Sequence, residues 1–228
     1  MPLNKSVGNM YSWATHTHSH LRGACMHECP YCYVQRGRAA RHYQGPPRLE
    51  EKELRVNYGS GKTIFLEHCS DLFGPMIYDE WVTRIVAHTN LWPRNTYILQ
   101  TKNPERMVIA LRQNKMLPTK ILGTTIETNR ETPGHAPQAR YRASWISEAM
   151  ELCPAQRFVT VEPIMDFDLN EFAQMLINIQ PDFINIGADS KGCGLPEPSK
   201  AKVEELIGKL HNASIEVRQK DNLGRLLT

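Results

Sequence analysis

Cys25, Cys29 and Cys32 stand at spacing C-x3-C-x2-C within the stretch Gly23–Tyr33, with Tyr31 directly before the third cysteine. A loop of that length lets three thiolates meet one corner of a [4Fe–4S] cluster, which is fully ligated by a fourth cysteine when its role is electron transfer. Three ligands leave one iron open. An open position is what a catalytic metal site keeps and a structural site fills, and its natural occupant is a small chelating molecule. The competing reading is a zinc knuckle completed by His27 or another histidine. His16, His18 and His20 alternate, so on a strand they share one face; they read either as a histidine metal site or as polar lining of a barrel interior.

With Tyr31 in the aromatic slot, the three cysteines resemble the signature of the radical S-adenosylmethionine (SAM) superfamily. The resemblance implies a [4Fe–4S] cluster on Cys25, Cys29 and Cys32 whose open iron binds the amino and carboxylate groups of SAM. It implies reductive cleavage of SAM to methionine and a 5′-deoxyadenosyl radical that takes hydrogen from a substrate. A low-potential electron donor of flavodoxin or ferredoxin type is implied as well. The fold that comes with it is a partial (βα)6 TIM-like barrel, with the cluster loop after the first strand.

Other stretches resemble spore photoproduct lyase and a family of short phage-associated radical SAM proteins. Leu66–Pro75 carries Glu67, Cys69 and the pair Ser70-Asp71, where the lyase has a Glu, a hydrogen-donating Cys and a Ser-Asp pair whose serine contacts SAM. The spacing is one residue shorter here, so either Cys69 or the pair aligns, and the Gly-Gly-Glu run of many radical SAM enzymes is absent at Glu67. The resemblance makes Cys69 the catalytic candidate and Ser70 and Asp71 cofactor contacts. Thr101-Lys102 matches a Thr-Lys pair whose lysine meets the carboxylate of SAM. Thr125, Glu127 and Asn129 are implied contacts to the methionine carboxylate and ribose, Glu162 a further cofactor contact, and Ile164 or Met165 packing for adenine. Asn185 and Asp189 are substrate candidates, and Lys220-Asp221-Asn222 complete the site. The substrate implied is a nucleic acid undergoing lyase-like repair or modification, against a peptide or small metabolite, or a non-catalytic zinc or iron–sulfur module.

Elements must hold these residues together. Short apolar runs at Thr63–Leu66, Thr96–Gln100, Lys120–Ile126, Arg157–Glu162, Asp182–Ile186 and Ser214–Arg218 read as strands. Between them lie amphipathic helices, for example Leu169, Phe172, Leu176 and Ile179 on one face. Asn103-Pro104 is a helix start, and Asp168 with Glu171 has capping-box spacing. With a strand in Trp13–Leu21 and a helix in Tyr33–Tyr43, this is an α/β chain with a parallel sheet, right-handed crossovers and an additional C-terminal strand. Gly61-Lys62-Thr63 is no P-loop, since Val56 stands where glycine is needed and a strand follows.

The 228 residues suit a single domain over 1–228, with the cluster loop at 23–33. Hydrophobic content of 41% and charged content of 22% make it globular. A net charge of +3 permits a local basic groove without requiring one, and Arg36, Arg38 and Arg41 could form either a solvated face or a phosphate contact. Met1–Lys5 has no apolar leader and no stretch approaches membrane-spanning length. Six cysteines in such a chain read as reduced thiols and metal ligands in the cytoplasm, with Cys153 ending a helix and Cys193 exposed between glycines.

Overall fold

A computed structural model describes residues 3–37, 39–152 and 155–228, with side chains through residue 148 in the helix that ends at Leu152. The readings of Arg38 and Cys153 lie outside these residues. In chain order the strands and helices are β1 (Asn4–Lys5), β2 (His16–His18), β3 (Leu21–Arg22), β4 (Arg48–Leu49), β5 (Thr63–Leu66), α1 (Asp79–Asn90), β6 (Thr96–Thr101) and α2 (Pro104–Gln113). There follow β7 (Thr119–Thr125), α3 (Ala139–Leu152), β8 (Gln156–Val161), α4 (Leu169–Ile179), β9 (Phe183–Ile186), α5 (Lys200–Asn212), β10 (Glu216–Gln219) and α6 (Gly224–Leu227).

The main sheet runs β1-β2-β5-β6-β7-β8-β9-β10. All neighbours from β2 to β10 pair in parallel, and β1 adds antiparallel at the edge. Among the described residues no pairing joins the last strand to the first, so the sheet is open. Five crossovers carry helices. The sixth, from β2 to β5, instead carries the cysteine loop and the β3–β4 hairpin. Tyr33–Tyr43 is correspondingly not a helix: its described part forms turns and one short 3-10 stretch at Ala40–His42, with i→i+3 bonds such as Gly37 N to Val34 O.

Alternation along each strand sends residues to two cores. Ile64 and Leu66, Tyr97 and Leu99, Val159 and Val161, and Ile184 and Ile186 face the helices. Phe65, Ile98, Ile121, Phe158 and Phe183 face inwards, where Tyr11, Ala14 and the neighbouring Met10 and Trp13 fill the concave side. Trp13 stacks on Tyr11 at 5.0 Å and meets Phe183 edge-on at 5.3 Å, so the segment before β2 reaches across to β9. Gly123 makes room for this packing, because a Cβ there would lie 2.3 Å from the Phe158 ring. Above the apolar floor the inward residues turn polar: Gln100, Thr125, Thr160 and Glu162.

The alternating histidines do not line that interior. His18 and His20 are buried behind the sheet with Tyr58 and His88, while His16 lies at the sheet edge against Thr15. Glu67 accepts from His20 Nδ1 (2.7 Å) and from the backbone N–H of His20 and Leu21, and His88 donates Nε2–H to Val56 O. Burial lowers the His18 pKa to about 3 and that of His88 to about 4, with the neighbouring His20 adding to both. Both are therefore neutral when folded and recover a pKa of roughly 6.5 when unfolded. Lowered folded-state values mean that unfolding takes up protons below that pH, so stability is lost as pH falls. Unfolding free energies from urea titrations should drop between pH 7 and 5 with a slope approaching about 1.4 kcal/mol per pH unit for each histidine. His18→Asn should flatten that slope by about half.

Candidate active site

Between β3 and the first 3-10 stretch, the cysteine loop folds as a series of tight turns, with Glu28 N on Cys25 O (3.3 Å) and Cys32 N on Cys29 O (3.0 Å). Its base is tied by Ala24 N to Gly45 O at 2.8 Å. From the other side the loop after β7 closes on it: His135 N donates to His27 O at 2.7 Å. Gly134, at φ +105°, lies so close that a Cβ would stand 2.7 Å from His27 O. Only glycine fits that clasp.

All three cysteines are free thiols that line one cavity of about 470 Å³ over the C-terminal ends of the strands. Burial pushes the Cys25 thiol up to about 12, and Asp71, Cys29 and Cys32 add to the rise. Three thiolates on one cavity wall would need a cation to hold them. Among the described residues no group of three or more His, Cys, Asp or Glu side chains stands ready-made around one ion position. The donor set itself is soft and all-sulfur, which suits an iron–sulfur cluster. His27 is not offered as a fourth ligand from Nε2, which meets Asp71 Oδ2 at 2.8 Å.

Asp71 is a junction. Its buried carboxylate accepts from His27, from Thr101 Oγ1 (2.7 and 2.9 Å), from Lys102 N (2.9 Å) and from Phe73 N (3.0 Å). Burial opposes its charge, but His27 and the other donors outweigh that and hold its pKa below the usual range. Glu127 is a second junction, fully buried. Arg142, on α3 and equally buried, donates to Glu127 Oε2 at 2.8 Å and to Thr125 O. Tyr31 donates to Glu127 Oε1 at 2.7 Å, and Lys102 Nζ meets the same oxygen and lies 2.9 Å from the Tyr31 hydroxyl. Here too burial is outweighed, by Lys102 and Arg142, and the carboxyl sits well below its ordinary value.

Cys69 lies at the cavity wall, 3.1 Å from His68 Nε2, and Tyr33 donates its hydroxyl to His68 O. Burial raises the thiol to about 11 despite a hydrogen bond from Tyr43. At neutral pH it keeps its proton, so its S–H bond is intact.

The cavity thus brings together Cys25, Cys29, Cys32, Tyr31, Cys69, Ser70, Asp71, Lys102, Thr125 and Glu162. Glu127 stands beneath it, holding Lys102 and Tyr31. Asn129 is elsewhere: its amide bonds Asp168 and Glu171 on the surface. Those bonds, with Arg130 on Asp168, also take the capping-box carboxylate away from the α4 N-terminus, which has no side-chain cap. Asn103 does cap α2 as expected. Sequence reasoning missed the tethering roles of His27 and Arg142, and the floor made by Tyr11, whose hydroxyl meets Gln100 and Thr160. His27 had a signal, its place between two cysteines; Arg142 had none, since a basic residue on a helix ordinarily reads as surface.

A family model described as "Protein of unknown function (DUF5131)" matches residues 9–193. No curated protein matches the chain. Among solved structures the fold is similar to spore photoproduct lyase in a cysteine-to-serine mutant, with TM-score 0.65 and 11% identity over 95% of this chain and 80% of that one. A tyrosine-to-phenylalanine mutant of the lyase gives TM-score 0.65 and 11% identity over 94% of this chain and 78% of that one. A double mutant of the lyase, with bound AdoMet and dinucleoside spore photoproduct, gives TM-score 0.55 and 13% identity over 90% of this chain and 63% of that one. At these identities the likeness is one of fold. No helix among the described residues is long and apolar enough to cross a membrane.

Removing one partner of a buried ion pair leaves the other uncompensated, at a cost of about 3–5 kcal/mol. Glu127→Ala should therefore lower unfolding free energy by that amount in urea titrations. Adding Arg142→Met to it should recover a large part.

Proposed function

The chain belongs to the DUF5131 family, and we propose that within it this protein works as a radical SAM enzyme. The observation that carries the reading is the single cavity lined by three cysteines of one loop together with Cys69, Ser70, Lys102 and Thr125 from neighbouring strand ends. In this reading the open parallel sheet is the partial barrel of a single radical SAM domain, and the chain works in the cytoplasm with a flavodoxin- or ferredoxin-type donor. A [4Fe–4S] cluster bound to SAM supplies reductive cleavage of the sulfonium and a 5′-deoxyadenosyl radical that abstracts hydrogen.

Cys25, Cys29 and Cys32 would hold that cluster, with the Asp71–His27 bond fixing the loop between them. Lys102 has one proton towards Glu127 and one towards Tyr31, which leaves a third to meet the carboxylate of SAM. Ser70, Thr125 and Glu162 offer further polar contacts around the cavity, and Asp71 and Glu127 orient Lys102 from below. Asn129 would have to leave Asp168 and Glu171 to contribute. Cys69, protonated at neutral pH, can return a hydrogen atom to a carbon-centred product radical. Its S–H bond breaks, a C–H bond forms, and the unpaired electron stays on sulfur. A nucleic acid is the substrate class we favour.

Anaerobic reconstitution with iron and sulfide should give a dark protein with about four irons per chain, and dithionite with SAM should release 5′-deoxyadenosine. Cys25→Ala, Cys29→Ala and Cys32→Ala should each lose the chromophore and the nucleoside. Cys69→Ala should keep both and lose correct product. Protein that takes up only tetrahedral zinc and releases no nucleoside would overturn the proposal.

A further inference from the structure

The end of the cavity remote from the cysteines is built by the two ends of the chain, which meet at Glu162. Asn9 Nδ2 donates to Glu162 Oε1 at 2.8 Å and Asn222 Nδ2 to the same oxygen at 3.1 Å, while Lys220 Nζ donates to Oε2 at 2.6 Å. A carboxylate only accepts, so it dictates which way each amide turns. Asn222 is doubly fixed, since its Nδ2 also donates to Ala188 O at 2.6 Å. Asn9 must present Oδ1 away from Glu162, and among the described residues nothing donates to that oxygen. Its second N–H makes no hydrogen bond among the described residues, and Lys220, which lies 4.9 Å over the Tyr11 ring, makes no hydrogen bond there besides the one to Glu162. The wall therefore carries an acceptor beside donors, held in place by Glu162, which accepts from all three side chains.

Formal charge balances at the same end. Glu162 is matched by Lys220, and the Asp189 carboxylate, which accepts from the backbone N–H of Lys191 and Cys193, shares the lining with Lys191. Met10, Pro163 and Ala188 supply apolar surface between these polar groups. A free anion or cation gains little here. A flat uncharged ring with a donor and an acceptor along one edge gains much, because its faces meet apolar atoms and its edge meets Asn9 and Lys220.

We infer that this end of the cavity is a nucleobase subsite, in which Asn9 and Lys220 read the hydrogen-bonding edge of a base and Glu162 sets their orientation. The inference rests on the function proposed above and adds what is recognised and by which residues. Base contact and backbone contact are separable, since phosphates contribute affinity without reading the base.

The test compares labelled single-stranded DNA ten nucleotides long with an abasic strand of the same length and charge, using fluorescence anisotropy on the full cluster-loaded chain without SAM. The base-bearing strand should bind at least about tenfold more tightly than the abasic one, in line with one or two good base contacts. Asn9→Ala should remove most of that ratio while leaving the abasic strand's affinity unchanged; Lys220→Met should remove it too, while uncovering the Glu162 charge and weakening both strands. Asn9 is exposed on an irregular segment, so Asn9→Ala keeps the test decisive if Lys220→Met does not fold. Equal binding of both strands overturns the inference, as do variants that keep the ratio, or a capped polypeptide that binds where neither strand does. Because no turnover is read, a protein that cleaves SAM yet ignores bases sinks this inference alone. One that discriminates bases yet never releases 5′-deoxyadenosine sinks the radical mechanism and leaves the subsite standing.

Discussion

Two buried carboxylates govern how this molecule is put together. A buried carboxylate must gather donors on every side or lose its charge, and the strand ends alone cannot supply enough. Asp71 and Glu127 therefore draw in groups from distant parts of the chain, and both take one from the same place in the cysteine loop. Along Cys25-Met26-His27-Glu28-Cys29-Pro30-Tyr31-Cys32, His27 goes to Asp71 and Tyr31 goes to Glu127. Cys29 falls between them, Cys25 and Cys32 flank them, and all three line the cavity. The loop is thus pinned at two points by residues interleaved with its thiols, and Cys29 adds only a long bond of 3.9 Å to His27 O. Lys102 joins the two junctions, its backbone N–H on Asp71 and its ammonium on Glu127.

An open sheet leaves the same problem at larger scale. Its concave face would be wet from the gap between the first and last strands, and the apolar residues there would have no partner. The segment before β2 answers this by packing Tyr11 and Trp13 on Phe65, Phe158 and Phe183. Arg218 of β10 lies 3.5 Å over the Phe183 ring and 5.9 Å from that of Trp13, so the last strand is joined to the plug by a cation over aromatic faces. The floor this creates is apolar below and polar above, because the Tyr11 hydroxyl turns up to Gln100 and Thr160.

What could be read in the sequence follows from which interactions are local. The parallel strands from β5 on were legible because each is a short run of apolar and β-branched residues, and the structure puts their C-terminal ends on one side of the sheet. The cap at Asn103 was legible because its partner lies three residues away. Asp168 failed as a cap for the opposite reason: Arg130, far off in sequence, competes for it and wins with two hydrogen bonds. The histidines at 16, 18 and 20 have strand periodicity, yet β2 stops at His18, and Glu67 bends the next turn into the core behind the sheet. Tyr33–Tyr43 has the composition of a helix; Gly23 N and Ala24 N instead tie His42 O at its C-terminal end and Gly45 O just beyond, and its described part forms turns.

Taken together, the two junctions and the far wall give the cavity an uneven electrostatic character. At the cysteine end, burial has raised the cost of negative charge on sulfur, as the position of Cys25 near 12 records. At the other end, Glu162 and Lys220 have already cancelled each other. A ligand that brings positive charge to the thiols and a neutral face to Glu162 and Lys220 meets both conditions, whereas one with the opposite polarity meets neither. That asymmetry comes from side chains whose partners are all internal, so it is present before anything binds. The direction in which a composite ligand lies across the strand ends is accordingly set by the protein.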